Sequence, residues 1–485
     1  MTKVNSCQDQ PSSALSRRNR KPSHAVASCA TVLISGWLTG ALWAQDAAAP
    51  GQAAPQEINA APPLPPAGPQ IASISVYGAY YSHGLPETGA APQTNSANVR
   101  SDEALGGSIV LDWSKFTERT IFSLTYSPSY TAQVRYSSLD ALNHVFSLTY
   151  RRKLTPRWTL GFSVAGNYSS LEESLFAPTA LSNVAAVPAT ANGFAAALLA
   201  GNFTNNPQLG AVLTNSPLVE SPLANLLYGQ RMLTASGQST LSYSFSPRLS
   251  VTFSGGGART QPGSDNRTAT TGAAPLIPNT TSETASAVLS YSLSTAAQLG
   301  GSVTTTRVSS FLEDAYSTTS LATFGRTLGK KWVMQLHGGV GVTNYVRQTL
   351  NTSATKPLPA AGGSLGLKTT SHTFLGSFDH TVSDPYGFGA STVSTSSVTW
   401  RWQRPGSAWS LESSVGWQQL QSQTLAGTSG WRWSALVNRA IRPNLALLWQ
   451  YTYLKYSGGL QTAAYNLSES AVRVSFVWTS TRALR

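Results

Sequence analysis

The stretch Leu241–Ser254, LSYSFSPRLSVTFS, leaves few options for the chain that carries it. Leu241, Tyr243 and Phe245 alternate with Ser242, Ser244 and Ser246. After Pro247-Arg248, Leu249, Val251 and Phe253 alternate with Ser250, Thr252 and Ser254. Successive side chains of a strand point to opposite faces. A period of two on both sides of a short turn therefore specifies an antiparallel hairpin with one apolar and one hydroxyl face. What the chain becomes depends on what covers the apolar face, a protein core or lipid.

The same pattern recurs along the chain. His144, Phe146, Leu148 and Tyr150 share one face before Thr155-Pro156, and Trp158, Leu160, Phe162 and Val164 share one after it. Leu289, Tyr291 and Leu293 lead to Leu299 and Val303, and Phe324 leads to Trp332, Met334, Leu336, Val340 and Val342. Trp409, Leu411, Val415 and Trp417 form another set, and Trp431, Trp433 and Val437 lead to Leu445, Leu447, Trp449, Tyr451 and Tyr453. The last run sets Val472, Val474, Phe476 and Trp478 against Glu469, Arg473 and Ser475.

The connections fall into two classes. Short turns are expected at Lys115–Glu118, Thr155-Pro156, Pro247-Arg248, Thr295-Ala296, Gly329-Lys330, Lys368–Ser371, Pro405-Gly406 and Arg442-Pro443. Longer Gly/Asn/Thr/Ser/Pro-rich loops are expected at Ser82–Ser101, Leu171–Gly229, Gln261–Thr280, Gln348–Ala361 and Ser383–Ala390. Short turns at one end and long loops at the other is the plan of a membrane β-barrel.

Composition chooses between core and lipid. Charged residues make up 11% of the chain, against about 25% in an ordinary soluble domain. A soluble sandwich would need charged outer faces and mid-strand Trp between its sheets. Here the polar faces are Ser, Thr, Gly and Gln with an occasional Arg. Trp113, Trp158, Trp332, Trp400, Trp402, Trp409, Trp431 and Trp433 sit at expected strand ends, as interfacial aromatic girdles require. The apolar faces are therefore expected to meet lipid.

The N-terminus reads as an export signal over residues 1–44. Arg17, Arg18, Arg20 and Lys21 precede the apolar segment Ala25–Ala44, with Ala44–Gln45 the expected cleavage bond. Cys7 and Cys29 both lie in this segment, so thiol catalysis, disulfides and Cys-bound metals are excluded from the mature chain. Removing its five Lys/Arg and one Asp from 33 and 20 leaves 28 basic and 19 acidic residues. The excess is dispersed, with no Lys/Arg run of the kind that binds nucleic acid. Residues 45–70, rich in Ala, Pro and Gln, read as a disordered periplasmic linker. The barrel is then expected over 71–485.

These strand and turn patterns, from about Ile71 to Trp478, resemble porin-like bacterial outer-membrane β-barrels. The resemblance lies in architecture and not in a catalytic or binding motif. It implies an all-β, antiparallel transmembrane barrel of about 16–18 strands, exported through the periplasm and placed in the outer membrane by the insertion machinery. Its partners would be outer-membrane lipid and a small hydrophilic solute; oligomer formation is open and nucleic acid is not expected. Such barrels usually end on an aromatic residue, whereas Trp478 here is followed by TSTRALR, so the insertion signal is expected to be internal.

Chemistry-bearing residues are sparse. His144 falls on the lipid side near a strand end. His372 and His380 bracket a strand with Asp379 and Asp384 nearby, which reads as exposed polar sequence and not as a metal or triad site. No paired-carboxylate, phosphate-loop or metal-ligand spacing is present, so no catalytic residue, cofactor site or metal site is assigned and the chain is not expected to be an enzyme.

Phasing the strands by their apolar faces points Arg119, Arg135, Arg151, Arg401, Arg432 and Arg473 into the lumen, with Asp112, Glu412 and Glu469. An excess of Arg favours anions; the alternative is cross-strand pairing that fills polar space. The insertion 171–229 carries two short helical patterns, GFAAALLAGN and SPLANLLYGQ, with Ser221 as a cap and Pro222 at the first helical position of the second. It is a constriction, a lid or a passive loop. The expected function is diffusion of small hydrophilic solutes, anions among the candidates, through the outer membrane. A structural surface barrel and a polysaccharide-export conduit with a closed or gated lumen are the alternatives.

Overall fold

The computed structural model describes residues 68–82, 101–135, 140–170, 231–262, 279–294, 296–310, 313–329, 331–347, 352–383, 391–422, 425–460 and 463–480. The chain divides into two units, Met1–Pro62 and Pro63–Arg485. The first lies outside the described residues, as do the expected signal, most of the linker and the 171–229 insertion.

The second unit is an antiparallel barrel of eighteen strands. They are β1 (Gly68–Tyr81), β2 (Asp102–Phe116), β3 (Thr120–Gln133), β4 (Ala141–Lys153), β5 (Trp158–Ser170), β6 (Arg231–Ser244), β7 (Leu249–Pro262), β8 (Thr280–Ser294), β9 (Ala297–Ser309), β10 (Glu313–Leu328), β11 (Trp332–Arg347), β12 (Thr352–Lys368), β13 (His372–Ser383), β14 (Ser391–Gln403), β15 (Trp409–Ser422), β16 (Leu425–Arg442), β17 (Leu445–Leu460) and β18 (Ala463–Thr479). Each strand pairs with the next. β1 pairs with β18, from Ser73↔Thr479 to Tyr81↔Ala471, and closes the sheet. Closure leaves no free edge, which suits a sheet that crosses lipid.

Eight short turns join the strands at one end, where the sequence places them. Six carry a Ser or Thr, in the turn or at its edge, whose hydroxyl accepts a backbone N–H two or three residues later. Thr120 N–H donates to Thr117 at 2.9 Å, Trp158 to Thr155 at 3.1 Å, Leu249 to Ser246 at 3.1 Å, Ala296 to Ser294 at 3.1 Å, His372 to Thr369 at 2.9 Å and Trp409 to Ser407 at 3.0 Å. These local bonds satisfy N–H groups that leave the ladder and hold the hairpin register. Gly329 and Gly406 turn at φ of 65° and 75°, a region that disfavours a side chain.

The opening hairpin is β6–β7. Ser244↔Ser250 is its last pair before the turn, and Leu241↔Phe253 and Tyr243↔Val251 stand on its apolar face. That face points out of the barrel. Around the wall, Leu105 is 65% exposed and Phe476 53%, and Val76, Phe162, Leu289, Val340 and Val398 are also exposed. An apolar belt of this kind costs about 25 cal/mol per Å² in water and nothing comparable in hydrocarbon. The chain is a transmembrane barrel for this reason.

Three expectations are corrected. Gln348–Ala361 is not all loop, because β12 begins at Thr352 and Thr352–Ala361 pairs with β11. Pro357 and Pro359 lie in this half of β12, where the ladder to β13 has not begun; that ladder starts at Ala361↔His380. Proline is tolerated in a strand where one edge needs no donor. Trp431 and Trp433 are not beside the 443–444 turn. They lie well inside β16, on the part that pairs with Tyr453 and Lys455. The connections opposite the short turns are also not uniformly long, since two residues separate β15 from β16 and β17 from β18.

Candidate functional site: the lumen wall

Directly opposed residues in an antiparallel ladder share a face, so the pairing fixes which side chains look inward. Val472, Val474, Phe476 and Trp478 are exposed on the outer face of β18, whereas Glu469, Arg473 and Ser475 are buried on its inner face. Carrying this phase through the ladders places Asp112, Arg151, Arg401, Glu412, Arg432, Glu469 and Arg473 on the lumen face. Arg119 and Arg135 stand in connections. Arg135 donates from its backbone to Asp102 Oδ1 at 3.0 Å and from its guanidinium to the Ser101 carbonyl at 3.0 Å, an arrangement that ties the β3 end to the start of β2.

Most of the inward charges form two levels. Near the short turns stand Arg151, Lys153, Lys368 and Arg401, with Asp112 and Glu412. Thr125 donates to Asp112 Oδ1 at 3.0 Å, Lys368 donates to Thr373 at 2.9 Å, and Arg401 lies directly across from Glu412 while donating to Gln403 at 2.7 Å. Farther along the wall, Arg432, Leu454 and Glu469 occupy one row, and Gln450 and Arg473 occupy the row four residues on. Leu454 is 0% exposed and Glu469 1%.

Glycines let some inward side chains cross a strand. The Arg473 guanidinium lies 3.6 Å from the Tyr77 ring centroid, within cation–π range. Tyr77 itself lies across Gly106 of β2 and hydrogen-bonds Thr131 of β3. A Cβ at Gly106 would sit 2.3 Å from Tyr77 Cζ. His337 of β11 does the same across Gly362 of β12 and meets Asp379 of β13, with Nε2 3.0 Å from Oδ2. A Cβ at Gly362 would sit 2.6 Å from the imidazole.

Sequence reading missed both arrangements, along with Lys153 and Lys368. It set Asp379 beside His372 and His380, but neighbours along a strand point to opposite faces. His372 and His380 face outward: Trp400 Nε1 donates to His372 Nδ1 at 3.3 Å, and His380 Nδ1 is 2.7 Å from the Ser394 hydroxyl. Asp384 lies outside the described residues. His144 is also outward, 2.7 Å from the Tyr126 hydroxyl. The remaining inner wall is largely hydroxyl, with cross-strand contacts such as Ser242–Thr252 at 3.0 Å, Thr284–Thr306 at 3.2 Å and Ser377–Ser397 at 2.8 Å.

An apolar outer belt, outward aromatics and a polar inner wall on a closed eighteen-stranded sheet define a porin-like outer-membrane barrel. Among solved structures the chain is similar to Pseudomonas aeruginosa OccK2 (OpdF), with 10% identity and a TM-score of 0.42 over 84% of this chain and 97% of that one. It is similar to a BenF-like porin from Pseudomonas fluorescens Pf-5 at 9% identity and 0.41, over 84% and 98%. It is similar to Acinetobacter baumannii OccAB4 at 10% and 0.41, over 86% and 99%. No protein-family model and no curated protein matches the chain. At these scores the fold rests on the strand ladder and not on the likeness.

Proposed function

We propose that this barrel is an outer-membrane channel, not an enzyme, through which small hydrophilic solutes diffuse, with a preference for anions. The supporting observation is the pairing of an apolar outer belt with an inner wall of hydroxyls and fixed charges on eighteen strands. Barrels of about this size can hold an aqueous channel. At the short-turn end Arg151, Lys153, Lys368 and Arg401 outnumber Asp112 and Glu412 on the inner face, and a positive mouth favours anions. In this reading the chain is exported through the periplasm after removal of residues 1–44. It is inserted by the barrel-assembly machinery, with the short turns facing the periplasm and the 171–229 insertion setting the aperture.

A structural barrel with a closed lumen is the second reading, favoured by the burial of Arg432, Leu454 and Glu469 on the inner face. Single-channel recording in a planar bilayer under a KCl gradient separates the two. Stable steps with an anion-directed reversal potential support the channel and its charge preference. Steps without selectivity remove the preference. A folded barrel, identified by heat-modifiable gel migration, that passes no current rejects the channel.

A further inference from the structure

We propose that the His337–Asp379 pair is a pH-dependent charge site in the lumen, so that selectivity shifts toward anions as the pH falls. The inference rests on the channel reading above. His337 Nε2 and Asp379 Oδ2 are 3.0 Å apart, and Asp379 keeps 43% of its side-chain surface exposed, so the site is both paired and open to solvent. Imidazole is the side chain that changes charge between about pH 5 and 8. With the imidazolium present the pair is neutral overall; with the neutral ring it leaves one carboxylate charge.

The surroundings isolate the pair. The inner face of β10 opposite His337 carries Thr323, and β11 itself presents Gln335 before it. β12 contributes Gly362 and Ser364 between the partners, and Thr395 of β14 lies across from Asp379. The nearest inward charges described on these strands, Lys368 and Arg401, belong to the short-turn end. Among the described residues the other histidines, His144, His372 and His380, face outward, so His337 is the described imidazole positioned to act on the lumen.

The test uses the full protein purified from membranes and recorded in KCl gradients at pH 5 and pH 8. The chloride-to-potassium permeability ratio is expected to be about twofold higher at pH 5, the effect of one unit charge about 10 Å from a permeating ion in water. His337→Gln should lose the pH response and stay at the wild-type pH 8 ratio. Asp379→Asn should show at pH 8 the ratio that wild type shows at pH 5, and rise further on acidification. A wild-type ratio that does not change, or a change that survives His337→Gln, overturns the inference and leaves the channel standing. Folded wild type that passes no current overturns the channel reading and this inference with it.

Discussion

Two stretches of the same inner wall are built on different principles. On β5–β7 the inward residues are small and polar: Ser163, Thr240, Ser242, Thr252, Ser254 and Thr260 among them, none buried. Their hydroxyls bond across strands, as in Ser242–Thr252 at 3.0 Å, and each contact adds at most a few tenths of a kcal/mol to about 1 kcal/mol. On β16–β18 and β1 large and charged side chains stand among the small ones on the inner face, and Arg432, Leu454, Glu469, Arg473 and Tyr77 are all buried. Both stretches present the same apolar outer face to lipid. One inner surface is therefore wetted and tolerant, the other packed and demanding, and substitutions should separate them.

The largest contrast should come from truncation. Leu454→Ala on the packed side is expected to cost about 3 kcal/mol, whereas Gln238→Ala on the wetted side should stay within about 0.5 kcal/mol. Urea unfolding in liposomes measures both, and equal losses would dissolve the distinction. The glycines sharpen it next. A Cβ at Gly106 meets Tyr77 and, at 2.7 Å, the Tyr130 backbone carbonyl; at Gly161 it meets the Thr240 hydroxyl, a side-chain atom that can rotate away. Gly106→Ala should cost about 2 kcal/mol and Gly161→Ala less than about 1 kcal/mol. The smallest effect is that of single hydroxyls. Tyr77→Phe loses the bond to Thr131 and should cost about 1 kcal/mol, against less than about 0.5 kcal/mol for Ser242→Ala, whose partner can turn to water. Reversal of either order would show that the packed side is not the stabilising one.

Much of this was legible in residue order. The period of two that runs through Leu241–Phe253 or Val472–Trp478 is set by the pleat of a single strand, so inner and outer faces follow without knowledge of any neighbour. Short breaks such as Thr155-Pro156, Pro247-Arg248 and Gly329-Lys330 interrupt the alternation where the turns fall, which made the turn end readable too. The β12 segment at Pro357 and Pro359 misled because a proline reads as a loop unless the open edge beside it is known. Arg119 and Arg135 were phased as if their strands continued, and their strands had already ended.

The sequence by itself determined the barrel class and the two-faced alternation of its strands, because each follows from the local period of two. Only the tertiary structure decided which inward side chains meet. Tyr77, Gly106 and Thr131, or His337, Gly362 and Asp379, come together through the registers of three strands at once. Register is set by ladders between segments, and a glycine that opens a path across one strand carries no periodic signal of the side chain that will use it.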